Sequence, residues 1–323
     1  MATPLLAVRG LSTRFRTERG ELTAVDDVSF TLEAGQTLAI VGESGSGKSV
    51  TALSLLRLIP PPGRICGGEI LFEGQDLLKL SDRAMRAIRG NRIAMIFQEP
   101  MSSLNPSLTV GLQIAEPVNL HQGLGWARAY EAAKALLTRV RIPDAASRLH
   151  TWPHQYSGGM RQRTMIAMAL ACQPRLIIAD EPTTALDVTV QAQILDLLKA
   201  LTAETGAALL LITHDLGVVA RYADAVAVMY GGRIIEQASA DALYARPRHP
   251  YTRGLLASIP RLDSAAGQRL VPITGQPPDL ARLPPGCAFA PRCGRADAAC
   301  SDSRPALRAV AAGHLSACLH DAD

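Results

Sequence analysis

The sequence predicts an α/β protein built on a parallel β-sheet covered on both faces. Short, continuously apolar runs recur along it: Thr37-Leu38-Ala39-Ile40-Val41, Leu176-Ile177-Ile178-Ala179, Ala208-Leu209-Leu210-Leu211-Ile212 and Ala225-Val226-Ala227-Val228-Met229. Strands buried on both faces read this way, whereas half-solvated strands alternate. Ala- and Leu-rich stretches such as Trp126 to Val140 read as intervening helices. A glycine-rich loop ending in Lys-Ser joins the first run to a helix-like segment, Val50 to Ile59. The chain has 323 residues, 48% apolar and 19% charged, which supplies roughly two domains with a core and excludes a disordered chain.

Composition excludes further classes. Aromatics at 4% argue against a stacking platform for single-stranded nucleic acid. No apolar run approaches the length of a transmembrane helix, and the N-terminal apolar stretch is too short for a signal peptide. The expectation is a soluble, cytosolic protein that reaches a membrane only through partners. No repeat of 20 to 50 residues marks a solenoid. Residues 246–323 hold ten Arg, no Lys, six Asp, ten of the 21 prolines and four of the six cysteines. That shift sets a boundary near Arg246. Its excess of four positive charges is too weak a basic stripe to indicate nucleic acid.

Taken in order, Gly68-Glu69-Ile70-Leu71-Phe72 reads as a strand after the turn Pro60-Pro61-Pro62-Gly63. Gly42-Glu43-Ser44-Gly45-Ser46-Gly47-Lys48-Ser49 fits G-x-x-x-x-G-K-[ST] at every fixed position. The glycines let backbone N–H groups converge on an anion, and the helix opening at Val50 adds its positive end. Lys48 supplies charge for the β- and γ-phosphates and Ser49 a hydroxyl for Mg²⁺. The run from Leu176 ends in Asp180-Glu181, acids delivered to the carboxyl edge of a parallel sheet. Asp180 suits Mg²⁺, and Glu181 suits a general base on water. Tyr156-Ser157-Gly158-Gly159-Met160 opens a helix, Arg161 to Ala171, with a second anion-seeking start. One nucleotide does not need two cradles, so this one is expected to complete another subunit's site.

In this order the motifs resemble the nucleotide-binding subunit of an ABC transporter. The resemblance implies a P-loop NTPase (RecA-like) core at 1–98 and 172–245, with an antiparallel β subdomain. It implies an inserted α-helical subdomain at 99–171 and a small Cys-containing extension at 246–323. It implies Walker A at Gly42 to Ser49 with Val50 beside it, the Q-loop at Gln98, and the signature at Ser157, Gly158 and Gly159. Walker B ends at Asp180, and Glu181 is the catalytic glutamate. The D-loop is Ala185-Leu186-Asp187, and the switch histidine is His214. ATP and Mg²⁺ follow as cofactors, with Ser49, Gln98 and Asp180 toward the metal. Phe15, 27 residues before Gly42, matches the aromatic that stacks on adenine, although a core position on a strand fits it too. His214 also has a plainer reading as a hydrogen-bonded core histidine. The signature departs from Leu-Ser-Gly-Gly-Gln only at Tyr156 and Met160.

Gln98-Glu99-Pro100-Met101-Ser102-Ser103-Leu104-Asn105-Pro106, Arg248-His249-Pro250-Tyr251-Thr252 and Cys287-Ala288-Phe289-Ala290-Pro291-Arg292-Cys293 narrow the resemblance to oligopeptide/dipeptide importer ATPases. That implies a second, usually non-identical ATPase, two membrane permeases and an external solute-binding protein. It places the chain peripherally on the cytoplasmic face of the inner membrane, with no nucleic-acid partner. The competing readings are a soluble ABC ATPase acting on nucleic acid or ribosomes, and an importer of a non-peptide solute such as glutathione. Cys66 and Cys172 are expected as small core residues. Cys287, Cys293, Cys300 and Cys318 lack the close pairs of zinc fingers. A [4Fe–4S] cluster, as the importer resemblance implies, zinc and free thiols all stay open. With a cluster bound, Arg292 and Arg295 are expected to offset thiolate charge. The tail, poor in apolar runs, is expected to have too little material for a core of its own.

Overall fold

The computed structural model describes residues 3–18, 20–99, 103–184, 186–259 and 272–320. Pro100, Met101, Ser102 and Ala185, on which parts of the motif reading fall, lie outside them. The chain divides into two compact units: Met1–Leu32, Thr37–Leu78 and Thr213–Asp323 form the first, Glu33–Gln36 and Lys79–Ile212 the second.

The first unit carries β1 (Leu6–Thr17), β2 (Gly20–Leu32), β4 (Gly63–Phe72) and β5 (Gln75–Asp76) in an antiparallel sheet of order β2-β1-β4-β5. β4 begins earlier than its apolar run. Its glycines are drawn into the ladder because β1 pairs along its whole length, from Leu6↔Phe72 to Phe15↔Gly63. Cys66 falls at a register shift, between Ile65 paired with Thr13 and Gly67 paired with Ser12, and is exposed rather than a core residue, while Cys172 is buried as expected. β3 (Thr37–Val41) is buried at every position and pairs in parallel with β9 (Ala225–Tyr230). β10 (Arg233–Ser239) returns antiparallel to β9. The hairpin β11 (Arg308–Ala311) and β12 (His314–Ser316) continues the sheet beyond β10. The helix after β3 spans Lys48–Leu55 and stops short of Ile59, because Arg57 turns to positive φ ahead of the proline run.

The C-terminal extension shares the core of this unit. Tyr251, Phe289 and Ala317 are buried in one cluster with Val226, Val228, Tyr230 and Leu243. The Phe289 ring lies edge-on to Tyr230 at 5.3 Å and tilted against Tyr251 at 5.4 Å. Few aromatics are needed, since each buries a large area.

The second unit holds β6 (Ile93–Ile96), β7 (Leu176–Asp180) and β8 (Ala208–Thr213), all parallel. Every residue of β7 and β8 is buried. Helices Val110–Gln122, Trp126–Arg139, Gly158–Leu170 and Val188–Thr205 accompany them. The second matches its sequence expectation closely. The third begins three residues before Arg161, because Ser157 caps it. Among the described residues no helix is long and apolar enough to cross a membrane.

Candidate functional site

In the first unit, β3 ends at Val41 and the chain curls through residues 42–47 into helix Lys48–Leu55. Gly47 has φ 103, and a Cβ there would lie 2.3 Å from the Ala24 carbonyl oxygen. A Cβ on Gly42 would lie 2.2 Å from the Met229 carbonyl oxygen. The loop can approach its neighbours this closely only with glycine at both ends. No side chain caps the helix and no acid occupies its first turn, which leaves its positive end for an outside anion. The Lys48 side chain is buried and donates to the carbonyls of Gly42 at 2.8 Å and Glu43 at 3.0 Å. Ser46 Oγ is buried with no hydrogen-bond partner, a polar atom in want of a ligand.

Arg292 departs from expectation. Its guanidinium is engaged by a carboxylate: it grips Glu43 in the loop, Nη1 to Oε2 at 2.6 Å and Nη2 to Oε1 at 3.0 Å. A buried guanidinium takes the fully matching carboxylate fork in preference to sulfur. Arg295 does sit beside the cysteines, its backbone N–H 3.4 Å from Cys293 Sγ. Phe15 lies on β1, half-buried, its ring over Gly63, where a Cβ would approach it to 2.5 Å. His214 follows β8 and is exposed, which sets aside the core reading. Asp215 beside it fixes the turn, donating its N–H to Thr213 Oγ1 and accepting from Gly217 and Val218.

In the second unit, β7 delivers Asp180, buried, and then Glu181. Glu181 has φ 45, a left-handed conformation costly for a side-chain-bearing residue. Its N–H donates to the Ile212 carbonyl at 2.9 Å. Its Oε2 accepts from Gln98 Nε2 at 3.1 Å and from Thr184 Oγ1 at 2.9 Å. Gln98 and Glu181, 83 residues apart in sequence, thus meet side chain to side chain. Thr184 is a member of this group that sequence reasoning missed; its signal was a hydroxyl three residues beyond the glutamate.

The signature forms a second corner of this unit. Ser157 accepts from the Met160 N–H at 3.3 Å. Tyr156, the departure from the common motif, is buried, with its hydroxyl donating to the Arg148 carbonyl at 3.0 Å. Asp187 caps helix Val188–Thr205, accepting from Val190 at 3.0 Å. Cβ atoms on Gly158 and Gly159 would come to 3.5 Å from Leu186 and 3.2 Å from Val190. Signature and D-loop therefore pack together.

Cys287, Cys293, Cys300 and Cys318 line one small cavity in the first unit. Burial foremost, and the neighbouring thiols after it, push the Cys287 and Cys318 thiols up. A cation among them would reverse that. Asp297, Cys300 and His320 place their donor atoms within 4.8 Å of one another. Asp297 and His320 were not among the residues singled out in the sequence, although they stand three residues before Cys300 and two after Cys318.

Residues 25–184 match the family described as ABC transporter, and residues 235–300 match the oligopeptide/dipeptide transporter C-terminal region. The oligopeptide transport ATP-binding protein OppD of Salmonella typhimurium is 52% identical over 98% of this chain and 94% of its own. The chain belongs to the ATP-binding subunits of oligopeptide/dipeptide-type ABC importers. Solved cassettes agree with this fold. A dimeric ATP-binding cassette bound to ADP and phosphate after hydrolysis is 26% identical with a TM-score of 0.66, over 73% of this chain and 98% of that one. CbiO1 from Clostridium perfringens, part of an ABC transporter complex, is 26% identical with a TM-score of 0.63, over 76% and 92%. As an ABC ATPase with a RecA-like P-loop core, the subunit binds ATP with Mg²⁺ and hydrolyses it.

Proposed function

We propose that this ABC subunit is the motor of a peptide importer, paired with a second, non-identical ATPase beneath two permeases, on the cytoplasmic face of the membrane. An external solute-binding protein would deliver the peptide to the permeases. The match of residues 235–300 to the peptide-importer C-terminal region supports the substrate class. The proposed roles are divided by chemistry. The amides of Gly42 to Val50, with Lys48, take the phosphates, and Ser49, Gln98 and Asp180 attend Mg²⁺. Phe15 stacks on adenine, and Asp187 belongs to the dimer contact. Glu181 accepts the proton of the attacking water while His214 steadies the γ-phosphate. Residues equivalent to Ser157, Gly158 and Gly159 in the partner ATPase complete the site. ATP then shifts the population toward the closed dimer, and hydrolysis releases it.

The observation that carries this reading is the Glu181 carboxylate, oriented by Gln98 and Thr184. Glu181→Gln preserves shape and removes the base. In the assembled transporter, turnover should fall about 10²–10⁴-fold with ATP still bound. Turnover equal to that of the unaltered complex would refute the role.

For the extension we propose one [4Fe–4S] cluster on Cys287, Cys293, Cys300 and Cys318. The donor set fits, since four thiols face one cavity. Among the described residues the only group of three or more donors within 4.8 Å of one another is Asp297, Cys300 and His320, so the four sulfurs do not all gather at the roughly 4 Å spacing of a tetrahedral zinc site. When bound, the cluster supplies a cross-link between loops. Anaerobically purified protein should carry about four iron and four sulfide per chain. Stoichiometric zinc without iron would defeat the cluster.

A further inference from the structure

Glu43, the second residue of the phosphate loop, is held at each of its polar groups. Its N–H donates to Tyr251 Oη at 2.9 Å. Its carbonyl accepts from Lys48 Nζ at 3.0 Å. Both carboxylate oxygens accept from Arg292. The lysine belongs to the loop, as does Ser46, whose N–H also reaches the Glu43 carbonyl at 3.2 Å; Tyr251 and Arg292 come from the C-terminal extension. The Arg292 side chain is 5% exposed and that of Glu43 25%. Arg292 is itself braced, its Nε donating to the Thr274 carbonyl at 3.0 Å. It ends the turn Ala290–Arg292, directly before Cys293 and just after Phe289, whose ring packs against Tyr251.

We propose that Arg292 is a positioning residue for nucleotide binding, which with Tyr251 clamps Glu43 so that the C-terminal extension sets the affinity of the phosphate loop. The proposal rests on reading residues 42–49 as the phosphate site. When Lys48 turns to the phosphates it gives up the Glu43 carbonyl, and that residue is then held by the Ser46 N–H within the loop and by the three bonds with the extension. Arg292 also neutralises a carboxylate beside a polyanion. Without it the Glu43 charge faces the phosphates unpaired, in a partly buried setting where screening is weak. A planar fork on a carboxylate is matched by arginine and not by lysine.

The test is titration of the full-length chain with mant-ATP. Arg292→Met should raise Kd about 2- to 30-fold, the range seen when a coupling residue away from the ligand is removed. Glu43→Gln added to Arg292→Met should restore affinity to within about two-fold of Glu43→Gln alone, because the repelling charge is gone. A residue that merely supports the fold would show additive losses. Tyr251→Phe removes only the acceptor hydroxyl and should also weaken binding; it reads the same clamp if Arg292→Met does not fold. Binding unchanged in both Arg292→Met and Tyr251→Phe, with Lys48→Ala losing it, would overturn the clamp alone. Binding unchanged in Lys48→Ala would overturn the phosphate-site reading and the clamp with it.

Discussion

Residues 42–49 and the extension from Arg246 onward lie in the same unit and are built from opposite materials. The loop is shaped by absent side chains: Gly42 and Gly47 leave room for the carbonyls of Met229 and Ala24. The extension is held by side chains reaching across long stretches of chain. Glu236, fully buried, accepts from the N–H groups of Arg248 at 2.6 Å and His249 at 2.9 Å and pairs with His314 Nε2 at 2.7 Å. Phe289 fills the space between Tyr230 and Tyr251. A loop shaped by backbone keeps its shape wherever the glycines stay. A site made of distant side chains fails when any single one is lost.

That contrast is open to measurement. The largest effect on the extension is expected from Glu236→Leu, which strands two backbone donors and His314 in the interior. Breaking a buried pair in this way costs about 3–5 kcal/mol. The thiols of Cys287, Cys293, Cys300 and Cys318 should become reactive toward a thiol reagent at rates near those of an unfolded peptide. Nucleotide Kd should rise no further than in Arg292→Met, because the glycine-built loop retains its own shape. Complete loss of nucleotide binding would erase the distinction between the two regions.

The next effect is on pH. Burial lowers His249 to about 4, and its neutral Nδ1 accepts from the Tyr251 N–H at 3.1 Å. The unfolded chain protonates this imidazole near 6.5. Between those values the unfolded state binds the extra proton, so stability is complete above about pH 6.5 and declines as pH falls toward 4. The loss reaches about 3 kcal/mol. Chemical denaturation from pH 7 to 4.5 should show this slope, and His249→Asn, which keeps an acceptor at the helix start, should flatten it. An unchanged slope in that variant would assign the dependence to other groups. The smallest effect is expected at Cys66, exposed on β4: Cys66→Ser should alter stability by no more than about 0.5 kcal/mol.

What was legible in the sequence follows the same division. Strands β3, β7 and β8 stood out as continuous apolar runs, and the phosphate loop is contained in eight consecutive residues. Hairpin β11–β12 was not legible, because its strands are four and three residues long and carry no pattern. The Gln98–Glu181 contact was legible only through the family resemblance, since spacing alone says nothing about two residues so far apart. The grip of Arg292 on Glu43 spans 249 residues, and the sequence pointed its charge at the thiols instead. Cys66 was misread for a local reason: the register shift between Ile65 and Gly67, which no spacing announces, decided which way it faced.

Hairpin β11–β12 has one more consequence. β12 pairs with β10 through Glu236↔Ser316 and Gln237↔Leu315, and the Ala317 N–H reaches the Ile235 carbonyl at 2.8 Å. Those three residues thereby cover the outer rim of a mostly buried strand. Open rims of this kind recruit strands from neighbouring molecules. A chain cut before His314 would present β10 uncovered, and the expected fault is self-association that grows with protein concentration, even with every catalytic residue in place.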